Sequence, residues 1–186
     1  MNIRESKLPG CYEMFPHIHR DARGSLTKIF HAPTFEKLGL CTQFREEYYS
    51  TSAKNVIRGL HFQLPPDDHV KLVFCIFGIV KDVVVDLREG SPTYGLHSCF
   101  ELSSEYGNMV YIPKGMAHGF CGLSEKSIMV YNTSTEHAAS KDSGIRWDSV
   151  GIAWPNEDLV ISDRDKKLSQ FKDFKSPFKY KDTNEE

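Results

Sequence analysis

An all-β chain, closed into a barrel or sandwich with short helices at its margin, is what three features of the sequence predict. Short runs rich in Val, Ile, Phe and Tyr recur at near-regular spacing, turn residues separate them, and helical patterning is confined to two brief stretches. The strand candidates, in order, are residues 26–31, 43–50, 56–63, 72–77, 80–87, 96–102, 109–112 and 127–132. Each is about the length of an ordinary strand, and its composition suits a half-buried pleated surface. Asp21-Ala22-Arg23-Gly24, Leu64-Pro65-Pro66-Asp67, Gly90-Ser91-Pro92, Pro113-Lys114-Gly115 and Asp142-Ser143-Gly144 supply the turns. Residues 34–39, with Thr34 as a cap, and residues 162–171, opening Ser162-Asp163-Arg164-Asp165, read as helices. The division expected is one domain over residues 1–171 and a charged tail over 172–186. That tail should fray unless Phe174, Phe178 and Tyr180 dock on the body.

Composition excludes several classes of function. The 186 residues are 40% apolar and 26% charged, which suits a globular chain rather than a disordered one. A formal net charge of -2 gives no global attraction for nucleic acid or an anionic membrane. No apolar run approaches the ~20 residues that span a bilayer, and Met1 to Lys7 lacks the apolar core of a secretory signal. The five cysteines form no Cys-x-x-Cys pair. Neither a disulfide framework nor a thiolate zinc site is expected, and a reducing cytoplasm is the plain inference.

Eight histidines raise the question of a metal. Pro113-Lys114-Gly115-Met116-Ala117-His118 resembles the second motif of cupin barrels, which are double-stranded β-helix (jelly-roll) folds. The first cupin motif is altered. Gln63 follows His61 where a second imidazole would stand, and Lys71 occupies the place of a carboxylate. An ammonium cannot ligate without losing its proton. His17 and His19 share the His-x-His spacing but lie in a loop-like stretch. No metal and no other cofactor is expected.

Polar residues on otherwise apolar strands remain. Alternation along residues 56–63 puts Ile57, Gly59, His61 and Gln63 on one face, and Arg58, Leu60 and Phe62 on the other. Read singly, each polar residue has a structural explanation: His61 as a core histidine, Lys71 as a solvated strand end, Tyr131 as a barrel aromatic, Asp165 as a first-turn carboxylate.

Together they carry a resemblance. The ordered strings Arg58-Gly59-Leu60-His61-Phe62-Gln63, Lys71-Leu72-Val73, Val84-Val85-Asp86-Leu87-Arg88 and Ile112-Pro113-Lys114-Gly115-Met116-Ala117-His118-Gly119-Phe120 are similar to those of the dTDP-4-dehydrorhamnose 3,5-epimerase family. Gly144-Ile145-Arg146-Trp147-Asp148, Gly151-Ile152-Ala153-Trp154-Pro155 and Ile161-Ser162-Asp163-Arg164-Asp165 continue the match, which spans roughly residues 12 to 165. The resemblance implies a cupin-type barrel, a homodimer, no metal, and a nucleotide-linked 4-keto sugar as substrate. It implies His61 as base, Asp165 as its orienting partner, Tyr131 as the acid on the opposite face and Lys71 as the cation beside the enolate oxygen. Arg23 and Arg58 would hold the diphosphate, and His118 the sugar or its oxyanion.

The chain also departs from the family pattern. Asp21-x-Arg23-Gly24 is kept, but Leu26 replaces Phe and Lys28 replaces Glu; before the His61 strand, Glu46 and Tyr48 stand for Gln and Asn. Those positions touch the nucleotide or sugar in the family, so Lys28, Glu46 and Tyr48 point to a base or sugar other than that of dTDP-4-keto-6-deoxyglucose. Alternatives to a C5 (or C3 and C5) epimerase are a 3,4-ketoisomerase, a metal-dependent cupin oxygenase and a non-catalytic sugar-binding cupin. Retention of His61, Lys71, Tyr131 and Asp165 argues against the last.

Overall fold

The computed structural model describes residues 1–155 and 158–181. Among them the chain forms β1 (Asn2–Glu5), β2 (Tyr12–Phe15), β3 (Ile18–Asp21), β4 (Gly24–Thr27), α1 (Ala32–Lys37), β5 (Glu46–Ala53), β6 (Val56–Gln63), β7 (Lys71–Phe77) and β8 (Ile79–Asp86). There follow β9 (His97–Ser103), β10 (Met109–Ile112), β11 (Met116–Gly122), β12 (Lys126–Thr133), β13 (Asp142–Gly144), β14 (Val160–Ile161), α2 (Asp163–Lys166) and a 3-10 turn at Phe171–Asp173. One six-stranded sheet runs β1-β2-β10-β7-β12-β5. The other runs β13-β6-β11-β8-β9, with β14 added beside β6, and β3–β4 is a separate hairpin. The non-sequential order is that of a jelly-roll barrel.

Side-chain parity explains why the strands read as nearly continuous apolar runs. On β7, Val73 and Cys75 belong to the cluster between the sheets, while Leu72 and Phe74 join a second cluster with Phe35 of α1. On β8, Val80 and Val84 face the interior, and Val83 and Val85 join a third cluster with Ile145, Ile152 and Phe178. Strands covered on both faces need apolar residues at every position, which erases the alternation of a half-exposed strand. The interior parity of β7 also includes Lys71, which is 7% exposed, so the ammonium is carried into the barrel rather than left at a wet strand end.

Several sequence expectations need correction. Residues 26–31 form a strand only as far as Thr27. His17 and His19, expected in a loop, flank the start of the β3–β4 hairpin, and their rings meet edge-on at 4.5 Å. The first helix is capped by His31 rather than Thr34, because Pro33 fits its first turn; His31 Nδ1 lies 2.9 Å from Thr34 Oγ1. The second helix lasts one turn, since the chain leaves it to pair Ser169 with Ile145. Of the two outcomes left open for the tail, docking on the body holds over its described part. Phe178 is 5% exposed against Phe62, and Arg88 lies over the Tyr180 ring at 4.9 Å. Residues 182–186 of that tail lie outside the described residues. Among the described residues, no helix is long and apolar enough to cross a membrane.

Candidate active site

A cavity of about 690 Å³ is lined from both sheets and bordered by His61, Lys71, His118, Tyr131 and Asp165. His61 and His118 come from one sheet, on adjacent strands where they are direct ladder partners. Lys71 and Tyr131 come from the facing sheet, on adjacent β7 and β12.

The local fold of β6 breaks the alternation expected of it. β11 sets His118 opposite His61 but Phe120 opposite Arg58, so Gly59 and Leu60 together oppose Gly119. This bulge shifts the side-chain phase, and Arg58 and His61 both border the cavity instead of facing opposite ways. Gly59 makes it possible: its φ is +131°, and a Cβ there would stand 2.6 Å from Gly119 Cα.

The imidazole of His61 is braced from behind. Nε2 lies 2.7 Å from Asp165 Oδ1, with the histidine side chain 26% exposed and the carboxylate 5% exposed. One-turn α2 aims that carboxylate: Ser162 Oγ caps it by accepting from the Asp165 N–H, and the Gly59 N–H donates to Oδ2 at 3.3 Å. Burial pushes the Asp165 pKa up, but the hydrogen bond and charge of His61 and the Gly59 donor outweigh it, and the net direction is down. An ionised carboxylate only accepts, so Nε2 carries the ring proton and Nδ1 is left with the lone pair that can take another.

On the facing wall the phenol of Tyr131 is 7% exposed, and its Oη lies 2.9 Å from Ser50 Oγ. Burial pushes it above the ordinary tyrosine value against the opposing Ser50 hydrogen bond, so it is a neutral donor near pH 7. Burial pulls Lys71 down from 10.5 to about 8, against the opposing charges of Asp142 and Asp82. Its Nζ reaches across the barrel to the His61 carbonyl at 3.4 Å. His118 Nε2 lies 2.7 Å from Asp82 Oδ2, both side chains buried.

Of the residues expected to bind substrate, Glu46, Tyr48, Arg58 and His118 border the cavity. Arg23 and Lys28 do not. Arg23 sits at the tip of the β3–β4 hairpin, its side chain 90% exposed and paired to Asp21 at 2.6 Å, and Lys28 is exposed just beyond that hairpin. Their own chain does not carry them to the cavity, because the hairpin pairs only with itself.

The sequence reading missed Ser50, His69, Asp82, His137, Asp142 and Arg164. All but Asp82 line the cavity, Arg164 pairs with Asp142 at 2.7 Å, and Asp82 holds His118. The interior parity of Asp82 with Val80 and Val84 was a usable signal for a carboxylate pointing inward. Burial, with the charges of Lys71 and Lys114 beside it, pushes His69 down to about 3, so that imidazole is neutral. Gln63 is committed to two loops: its Oε1 accepts from the Ala138 N–H, between β12 and β13, at 2.7 Å, and its Nε2 donates to the Asp67 carbonyl, between β6 and β7, at 2.8 Å. Among the described residues, no three His, Cys, Asp or Glu side chains converge as a metal site.

An imidazole in one wall, with a neutral phenol in the other and an ammonium reaching across from that second wall, is an arrangement compatible with proton transfer at carbon beside a carbonyl. The comparisons identify the class. The model of the dTDP-4-dehydrorhamnose 3,5-epimerase family matches residues 5–173, and the chain belongs to that family of carbohydrate isomerases. Over 176 residues it is 38% identical to a dTDP-4-dehydrorhamnose 3,5-epimerase of Shigella flexneri, covering 93% of this chain and 97% of that one. A dTDP-6-deoxy-D-glucose-3,5-epimerase of Legionella pneumophila, solved with dTDP-4-keto-L-rhamnose, superposes with a TM-score of 0.93 at 31% identity, covering 97% and 99% of the two chains. ChmJ, a 3'-monoepimerase of Streptomyces bikiniensis solved with dTDP-quinovose, matches with a TM-score of 0.84 at 29% identity, covering 89% and 85%.

Proposed function

We propose that the protein epimerises a nucleoside-diphosphate 4-keto sugar at C5, and at C3 where the substrate presents that proton to the same base. The 4-keto group acidifies both neighbouring C–H bonds, because the carbanion delocalises onto oxygen. His61 Nδ1 takes the proton, forming an imidazolium that Asp165 stabilises, and the C–H electron pair moves into the enolate. Protonated Lys71, with His118 beside it, stabilises the enolate oxygen. Tyr131 then gives its proton to the opposite face of the same carbon and the carbonyl reforms; the His61 imidazolium releases its proton to solvent and the transient phenolate takes one up from solvent, which restores both groups. The observation that carries this reading is the placement of His61 and Tyr131 on facing sheets of one cavity. An acid on the far face turns simple exchange into inversion, which favours epimerisation over a ketoisomerase that returns the proton on one side.

Arg58 and Arg164, both at the cavity wall, would meet the diphosphate. Glu46 and Tyr48 border the cavity where the family carries Gln and Asn, which supports a base or sugar that differs from the thymidine-linked 6-deoxyhexose. We assign the enzyme to the cytoplasm, where nucleotide sugars are made.

We also propose a homodimer. Strand β5 is an edge of its sheet with Tyr49 71% exposed, and Leu26 on the hairpin is 63% exposed. A second copy laying its hairpin against that edge would bring Arg23 and Lys28 to a cavity they do not reach within their own chain.

The test is incubation with thymidine, cytidine and guanosine diphosphate 4-keto sugars in deuterated water, followed by NMR. The parent protein should exchange and invert C5, H61A should lose exchange at every centre, and Y131F should lose inversion more than exchange. Full exchange by H61A overturns the reading.

A further inference from the structure

Tyr131 and Tyr48 are direct ladder partners on β12 and β5, and their rings stack at 4.7 Å between centroids with 14° between planes. The Tyr131 ring also lies 6.1 Å from the His118 ring, centroid to centroid, at 70°. Its hydroxyl is tied to Ser50 Oγ, two residues along β5 from Tyr48. The phenol is therefore held at its tip by one β5 side chain and along its face by another. Tyr48 borders the cavity and is 42% exposed, while the Tyr131 ring it stacks on is 7% exposed. The asparagine that the family pattern carries at position 48 has no aromatic face to offer.

We propose that Tyr48 is a positioning residue for the proton donor: its ring clamps Tyr131 at the angle from which the proton reaches the far face of the enolate. The inference rests on the epimerase reading and adds to it the partition between inversion and return of the proton. A carbanion waiting on a misaligned phenol is reprotonated by His61 on the side it left, which gives exchange without inversion. The contact of Tyr48 is with the proton donor on its own sheet, and His61 stands on the other sheet, so the effect of Tyr48 should fall on proton delivery more than on proton removal.

The experiment measures, on one substrate in deuterated water, the ratio of inverted product to total deuterium incorporated. Loss of an aromatic pair should lower that ratio about threefold to tenfold in Y48L and Y48N. Y48F keeps the ring and should retain the parent ratio. In a Y131F background the Y48L change should have no further effect on the ratio, because the group it aims is gone. Position 48 is 42% exposed, so Y48N, with its small polar side chain, provides a folded comparison if Y48L is unstable. A parent-like ratio in Y48L and Y48N overturns the clamp, as does an equal fall in exchange and inversion, which would mean Tyr48 only binds substrate. Absence of any exchange by the parent protein overturns the epimerase reading and this one with it.

Discussion

The ammonium of Lys71 is placed where burial works against its charge, and that single placement ties stability and activity to pH in opposite ways. Its pKa falls from 10.5 to about 8 on folding. Below about pH 8 both folded and unfolded chains hold the proton, and the penalty for burying it is fully present. Between about 8 and 10.5 the folded chain has released the proton and the unfolded chain has not, so the penalty fades as pH rises. K71M should therefore be more stable than the parent at pH 7, by up to roughly 3 kcal/mol, with the gain shrinking in denaturation curves measured toward pH 10. The same protein should have lost nearly all exchange activity, and the parent should lose activity as pH rises through about 8, because only the protonated amine stabilises an enolate. Equal stability of K71M and parent at pH 7 would show that the ammonium is not paying for its site.

At the scale of an element, β6 does more for the site than any other strand. It carries Arg58 and His61, pairs with β11 through a bulge, and gives the Gly59 N–H to Asp165. The glycines at 59 and 119 let two backbones approach too closely for any side chain; a Cβ on Gly119 would stand 2.7 Å from the Arg58 carbonyl. G59A should cost at least about 1–3 kcal/mol in backbone strain alone, measured by urea denaturation. It should also depress deuterium exchange out of proportion to the stability lost, because the substitution disturbs the bulge that sets the phase of His61. An alanine variant with parent stability and exchange would show that the bulge is not needed.

For the whole molecule, the two sheets and the C-terminal segment divide the labour. One sheet supplies the imidazoles and the other the phenol and ammonium, so the site exists only when the barrel closes. Phe178 seals the outer face of the first of these sheets by packing on Phe62, next to His61 in the chain. Within its own chain the hairpin does not bring Arg23 to the cavity, and the proposed dimer would. Light scattering on the eluted protein should report twice the chain mass, and R23A, exposed and outside the core, should keep its melting temperature while raising KM for the nucleotide sugar. A monomeric mass with full activity would remove the dimer from the account.

What the sequence by itself determined was chemistry and strand content. β6 and β10 run as expected from residue to residue, and β7, β8, β9 and β12 within a residue at each end, because their apolar runs and turn residues are local signals. The ordered strings from Arg58-Gly59-Leu60-His61-Phe62-Gln63 to Ile161-Ser162-Asp163-Arg164-Asp165 carried the resemblance to the family whose model matches residues 5–173. Only the tertiary structure decided which of their residues meet. The 2.7 Å contact of His61 with Asp165 joins residues 104 apart in the chain, through a one-turn helix that composition alone extended too far. The bulge at Gly59 reversed the faces that alternation assigned to Arg58, and the stack of Tyr48 on Tyr131 came from ladder register between β5 and β12. These are relations between segments distant in sequence, fixed by packing and register, and local propensity carries no record of them.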